Sequence, residues 1–96
     1  MKIVTLNANG IRSAHNKGLA SWMAGLRGWD VFCLQEMKAQ ESDIPEEMLR
    51  PKKSHGHFFP AERKGYSGTA VWTKQKPLNV QRGFGVTEFD GEGRYL

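Results

Sequence analysis

A carboxamide and a carboxylate, Asn7 and Glu36, each stand just past a short run of strand-forming residues. Glu36 offers a hard anionic oxygen of the kind Mg²⁺ prefers, and one or two such ligands, completed by water and substrate phosphate, often hold that ion. A metal there would neutralise charge building on phosphate oxygens and on a leaving oxygen. Asn7 is neutral, so it can orient a neighbouring carboxylate or a water without repelling an anion. A plainer reading stays open for both residues: Asn7 as the cap of a turn, and Glu36 as half of a surface ion pair.

The flanking sequence must bring these two residues together. Ile3 to Leu6 reads as a short strand, stopped by the turn-forming Asn7-Ala8-Asn9-Gly10. A helix is expected from about Lys17 to Arg27, where Leu19, Trp22, Met23 and Leu26 recur at i, i+3, i+4 and i+7, with Gly28 as its stop. Val31 to Leu34 is a continuous apolar run, expected as a buried strand. Strand, helix, strand suggests a βαβ unit with parallel strands that end at the same sheet edge. Asn7 and Glu36 would then meet where open α/β sheets place ligands. Farther on, Ser42 to Glu47 resembles a helix start with an early proline and first-turn acids. A strand near His57 to Phe59, a Gly/Ser loop from Lys64 to Gly68 and a strand from Thr69 to Thr73 follow. Pro77 opens a connection into Leu78-Asn79-Val80.

Composition narrows the partners. The 96 residues suit one small domain, and the 39% hydrophobic and 25% charged shares fit a globular chain rather than a disordered one. No run approaches the roughly 20 apolar residues of a membrane span, and there is no apolar leader block. A single cysteine, Cys33, excludes an internal disulfide and suits a reducing compartment such as the cytoplasm. Its apolar surroundings favour inert packing over reactivity. The formal charge of +4 favours polyanionic partners. Arg50, Lys52, Lys53, Arg63 and Lys64 cluster mid-chain, as phosphate contacts or as a solvated face. Trp22 and Trp29 are expected to pack rather than stack on bases. His55 and His57 lack a third metal ligand and read as a surface pair.

Local strings go further. Leu6-Asn7-Ala8-Asn9-Gly10-Ile11-Arg12 resembles the Asn-x-(Asn/Asp)-Gly-(Ile/Leu)-Arg signature of the exonuclease III family of AP endonucleases. Cys33-Leu34-Gln35-Glu36-Met37-Lys38 resembles its Leu-Gln-Glu-Thr-Lys string, Lys64-Gly65-Tyr66-Ser67-Gly68 its Gly-Tyr-Ser-Gly loop, and Glu92-Gly93-Arg94 its Glu-Gly-Arg lead. The strings keep the family's order and spread over nearly the whole chain.

The resemblance implies a four-layer α/β sandwich with two packed mixed β-sheets, of which residues 1–96 are about the first half, the N-terminal part of a single domain. It implies a Mg²⁺-dependent (or Mn²⁺-dependent) hydrolase of double-stranded DNA that cuts 5′ to abasic sites and trims 3′ ends, monomeric at full length. A bacterial member would sit with the nucleoid and a eukaryotic one in the nucleus. Position by position, Glu36 matches the metal-binding glutamate and Asn7 the active-site asparagine grouped with the metal. Arg12 and Lys38 match basic residues facing phosphate, and Tyr66 matches a loop tyrosine that approaches DNA. Asn9 falls where some members carry an aspartate and offers only a neutral oxygen. Met37 replaces the usual threonine, removing a hydroxyl and its hydrogen bond. The family's catalytic tyrosine, Asp-x-Asn pair and Ser-Asp-His ending are expected beyond Leu96, and His15, His55 and His57 match none of them. The 96 residues alone are therefore expected to be inactive and to leave a large apolar sheet face open. Another phosphodiesterase on the same fold, or a non-catalytic DNA-binding fragment, are the competing readings.

Overall fold

Four strands of five residues each form one mixed sheet: β1 (Ile3–Asn7), β2 (Val31–Gln35), β3 (His55–Phe59) and β4 (Thr69–Thr73). The computed structural model describes every residue from Met1 to Leu96. The strand order is β1-β2-β4-β3, with β1 and β2 parallel and β4 antiparallel to both of its neighbours. The βαβ expectation therefore holds, and Asn7 pairs with Gln35 at the shared strand ends. One sheet with helices on one side corresponds to one half of the expected sandwich.

The connection from β1 to β2 carries the helix that the periodicity indicates and one more ahead of it. A short helix, α1 (Ile11–Asn16), comes first, and α2 (Leu19–Gly25) then falls inside the helix expected from about Lys17 to Arg27. Gly18, at φ 100°, turns the chain between them in a left-handed conformation open to glycine. α1 buries only Ile11, so it carries no apolar stripe to read. α2 buries Leu19 and Met23, whereas Trp22 is 48% exposed and meets Phe32 edge-on. The helix expected at Ser42–Glu47 breaks into 3-10 turns at Glu41–Asp43 and Glu46–Met48. Ile44 and Pro45 are extended between them, as the steric demand of proline on its predecessor requires. Leu78 to Val80 form no strand, and Leu78 is fully exposed. A short helix, α3 (Thr87–Asp90), precedes the C-terminal segment.

The core lies between the helical layer and one face of the sheet. Phe32 is its centre, with the rings of Trp29 and Trp72 edge-on at 5.7 and 6.0 Å. Both indoles keep a hydrogen bond while buried: Trp29 Nε1 donates to the Met23 carbonyl at 3.2 Å, and Trp72 Nε1 to that of Met48 at 2.8 Å. The other sheet face is only partly covered. There Thr5, Cys33, Val71 and His57 form one row across the strands. β2 accordingly alternates between buried and half-buried residues instead of being buried throughout. Burial pushes the Cys33 thiol up, which disfavours its thiolate. No helix is long and apolar enough to cross a membrane.

Candidate active site

At the strand ends the ladder does not stop with the sheet. Ala8 N–H donates to the Gln35 carbonyl, Gly10 N–H to that of Glu36 at 2.8 Å, and Ile11 N–H to that of Met37 at 2.8 Å. On the other flank, Met37 N–H donates to the Gly68 carbonyl at 2.9 Å and Lys38 N–H to that of Ser67 at 2.7 Å. Gly68 N–H reaches the Glu92 carbonyl at 3.3 Å. Four distant segments are thus sewn together by main chain alone. Asn9, Glu36, Lys38 and Ser67 all adopt positive φ, between 47° and 52°. Non-glycine residues rarely accept this conformation, and such residues gather at functional sites.

On this scaffold the side chains converge. Asn7 Nδ2 donates to Glu36 Oε2. The other end of the carboxamide, Oδ1, accepts the Asn9 N–H at 3.1 Å, which fixes the amide's orientation. Lys38 Nζ donates to Asn9 Oδ1 at 2.6 Å and lies 3.6 Å from Glu36 Oε1. The Asn7 hydrogen bond and, after it, the Lys38 ammonium hold the Glu36 carboxyl below the usual carboxylate range. Arg12 reaches the Lys38 carbonyl through Nη2 at 3.4 Å.

Asn7, Glu36, Lys38 and Tyr66 line one open, polar cleft of about 610 Å³. Arg12 and Asn9 do not line it, and Asn9 instead faces a neighbouring groove with Lys17 and Trp22. His55 and His57 belong to a different part of the sheet. Met37 is fully buried in the core cluster, so its side chain contributes packing rather than a cleft contact.

Two residues of the site carried no role in the sequence reading, although their string was noted. Arg94 lines the cleft, and Glu92 accepts hydrogen bonds from Arg94 Nε at 2.8 Å and from the Tyr66 hydroxyl at 3.0 Å. The Glu-Gly-Arg string was the signal that could have found them.

As a cation site the cleft is partial. Glu36 supplies one anionic oxygen, Asn7 Oδ1 keeps a free lone pair, and no group of three His, Cys, Asp or Glu side chains gathers anywhere in the chain. Such a set fits Mg²⁺, which keeps several waters and needs few protein oxygens, better than it fits Zn²⁺.

The chain is similar to known DNA repair nucleases. An exodeoxyribonuclease of Bacillus subtilis (strain 168) is 41% identical over 98 residues, a match that covers all of this chain and 37% of that protein. The DNA repair nuclease APEX1 of Danio rerio is 38% identical, again over all of this chain and 31% of its own length. Among solved structures, an AP endonuclease from Archaeoglobus fulgidus superimposes with a TM-score of 0.78 at 28% identity, covering 96% of this chain and 35% of that one. The chain thus spans about a third of the length of these relatives. Residues 4–96 match the profile described as Endonuclease/Exonuclease/phosphatase family. The chain belongs to the Endonuclease/Exonuclease/phosphatase family.

Proposed function

We propose that this chain carries part of the active site of a metal-dependent DNA phosphodiesterase that cuts beside abasic sites and trims 3′ ends. The observation that carries the reading is the Asn7–Glu36 pair, joined side chain to side chain in a cleft that also holds the cations Lys38 and Arg94. Paired cations attract a phosphodiester, while a lone ionised carboxylate between them attracts a divalent ion. The names of the relatives, an exodeoxyribonuclease and a DNA-(apurinic or apyrimidinic site) endonuclease among them, support DNA as the polyanion.

In this reading Glu36, with Asn7 Oδ1 or bound water, holds Mg²⁺, and the ion supplies charge neutralisation at the phosphate. The chain's own residues do the positioning. Asn7 keeps Glu36 ionised and correctly turned by donating to it. Lys38 and Arg94 face the phosphate, with the Tyr66 ring at their side and Arg12 farther along the backbone path. Asn9 holds Lys38 through its side-chain oxygen.

The experiment is incision by the full-length protein of a duplex with one abasic site, across a Mg²⁺ titration. A 3′-recessed duplex and an inositol phosphate are assayed in parallel. Metal-dependent cutting of the two DNA substrates is expected. Turnover of the inositol phosphate with intact DNA would replace this reading by another phosphodiesterase on the same fold. Duplex binding with no turnover of any substrate would leave a binding module.

A further inference from the structure

We infer that Glu92 is a positioning residue, whose carboxylate orients the Arg94 guanidinium and the Tyr66 phenol as one unit on the cleft wall. The inference rests on the phosphodiesterase reading and adds a residue which that reading leaves without a role.

Three hydrogen bonds close a ring among these side chains. Glu92 Oε1 accepts both Arg94 Nε at 2.8 Å and the Tyr66 hydroxyl at 3.0 Å, and Arg94 Nη2 donates to the Tyr66 oxygen at 3.3 Å. The guanidinium carbons of Arg63 and Arg94 lie 5.7 and 5.8 Å from the centre of the Tyr66 ring. Tyr66 and Arg94 line the cleft with Glu36, whereas Glu92 does not. Its carboxylate therefore acts on the cleft through the other two.

Glu92 is not needed to hold the two segments together. That is done by backbone: Gly68 N–H to the Glu92 carbonyl at 3.3 Å and Glu62 N–H to the Gly91 carbonyl at 2.8 Å. Gly93, at φ 62°, lets the chain run so close to Phe59–Ala61 that a Cβ would collide with their main chain. An exposed Glu–Arg pair adds little to stability either. What the carboxylate does control is direction. A guanidinium has five N–H donors, and Arg94 spends one Nε–H and one Nη2–H on Glu92 and Tyr66. The remaining donors stay available from a fork held in one orientation, the arrangement that suits the two non-bridging oxygens of a phosphodiester.

A simple charge argument predicts the opposite. If Glu92 only diluted the positive potential of Arg94, its removal would strengthen attraction for DNA. If it orients the fork, its removal frees a long side chain that must be ordered again on binding.

The test uses Glu92→Ala and Glu92→Gln in the full-length protein, since glutamine retains an oxygen in the accepting position. Glu92→Ala is expected to raise KM for an abasic duplex by roughly 10-fold with kcat within about twofold, and Glu92→Gln to stay within about twofold of wild type in both. A lower or unchanged KM in Glu92→Ala overturns the inference, and so does an equal rise in both variants, which would mark charge rather than orientation. A second readout is independent of activity. The Arg94 Nε–H resonance should exchange slowly with solvent in wild type and Glu92→Gln, and rapidly in Glu92→Ala. Rapid exchange in wild type removes the positioning role even if DNA is cut. Slow exchange in a protein that cuts no DNA would keep Glu92 as the organiser of this wall while the phosphodiesterase reading fails.

Discussion

The Asn7 carboxamide donates to the Glu36 carboxylate, although the two residues lie 29 positions apart. The parallel pairing of β1 and β2 brings them to one edge, and the hydrogen bond then makes them a single acceptor-rich unit. Replacing Glu36 by Gln keeps the shape and removes the charge. Metal-dependent incision by the full-length protein is expected to fall by roughly 100-fold or more. Binding to the same duplex in EDTA should hardly change. Unaltered incision at limiting Mg²⁺ would take Glu36 out of the metal site.

Asn7 tests the direction of that hydrogen bond. Asn7→Ala removes the donor and is expected to lower single-turnover incision by roughly 10–100-fold, the usual cost of losing a group that orients a ligand. Asn7→Asp sets a second carboxylate against Glu36 and should be worse, because neighbouring like charges oppose each other's ionisation. A faster rate for Asn7→Asp than for Asn7→Ala would make residue 7 a metal ligand first and a donor second.

Met37 is expected to matter for stability and not for turnover. It is fully buried, with its main chain bonded on both sides to Ile11 and Gly68. Met37→Thr exchanges a thioether that fills the core for a smaller side chain with a hydroxyl, and should cost about 2 kcal/mol. Urea unfolding measures it, and kcat should be unchanged. A gain in kcat would show that a hydroxyl at this position reaches the cleft.

The positions of Asn7 and Glu36 were legible because the first ends and the second follows a strand whose apolar pattern and turn signals are local. α1 was not, since Ile11 alone of its residues is buried and Gly10 gives it no side-chain cap. The 42–47 helix was misjudged because proline and acids mark a helix start equally well for a 3-10 turn. Trp22 packs edge-on against Phe32, as a packing role requires, but its position on α2 leaves half of it in solvent. Glu92 and Arg94 acquire their role only through a contact with Tyr66 across 26 to 28 residues of chain, which no spacing rule anticipates.

His57 gives a pH dependence with a definite sign. Its Nε2 is buried without a partner, and burial, then the neighbouring His55 and Arg82, hold its pKa below the ordinary imidazole value. The unfolded chain therefore takes up a proton at a pH where the folded chain does not, so stability falls as pH drops through that interval. Between about pH 7 and about pH 5.5, the loss in Tm should be smaller in His57→Gln than in wild type. An equal loss in both proteins would assign the effect to other groups.

The 96 residues alone are expected not to incise an abasic duplex, with enzyme in excess and Mg²⁺ at any concentration. Glu36 is the only carboxylate lining the cleft, so neither a full set of protein ligands nor a second carboxylate to activate water is present. Incision at a rate near that of the full-length protein would mean that these residues already contain the whole machinery.

The floor of the cleft is laced by amide and carbonyl groups running from Ala8 through Glu36 and Met37 to Ser67, Gly68 and Glu92. None of those bonds depends on which side chain stands at positions 7, 9, 36 or 38. The chemistry is therefore separable from the frame that displays it, within the limit that positions 9, 36 and 38 accept only side chains tolerant of a positive φ. A change of metal preference or of substrate is reachable by exchanging those side chains without refolding. Inserting or deleting one residue within β2 would instead slip the register against β1 and β4 and carry Glu36 away from its place opposite Gly10.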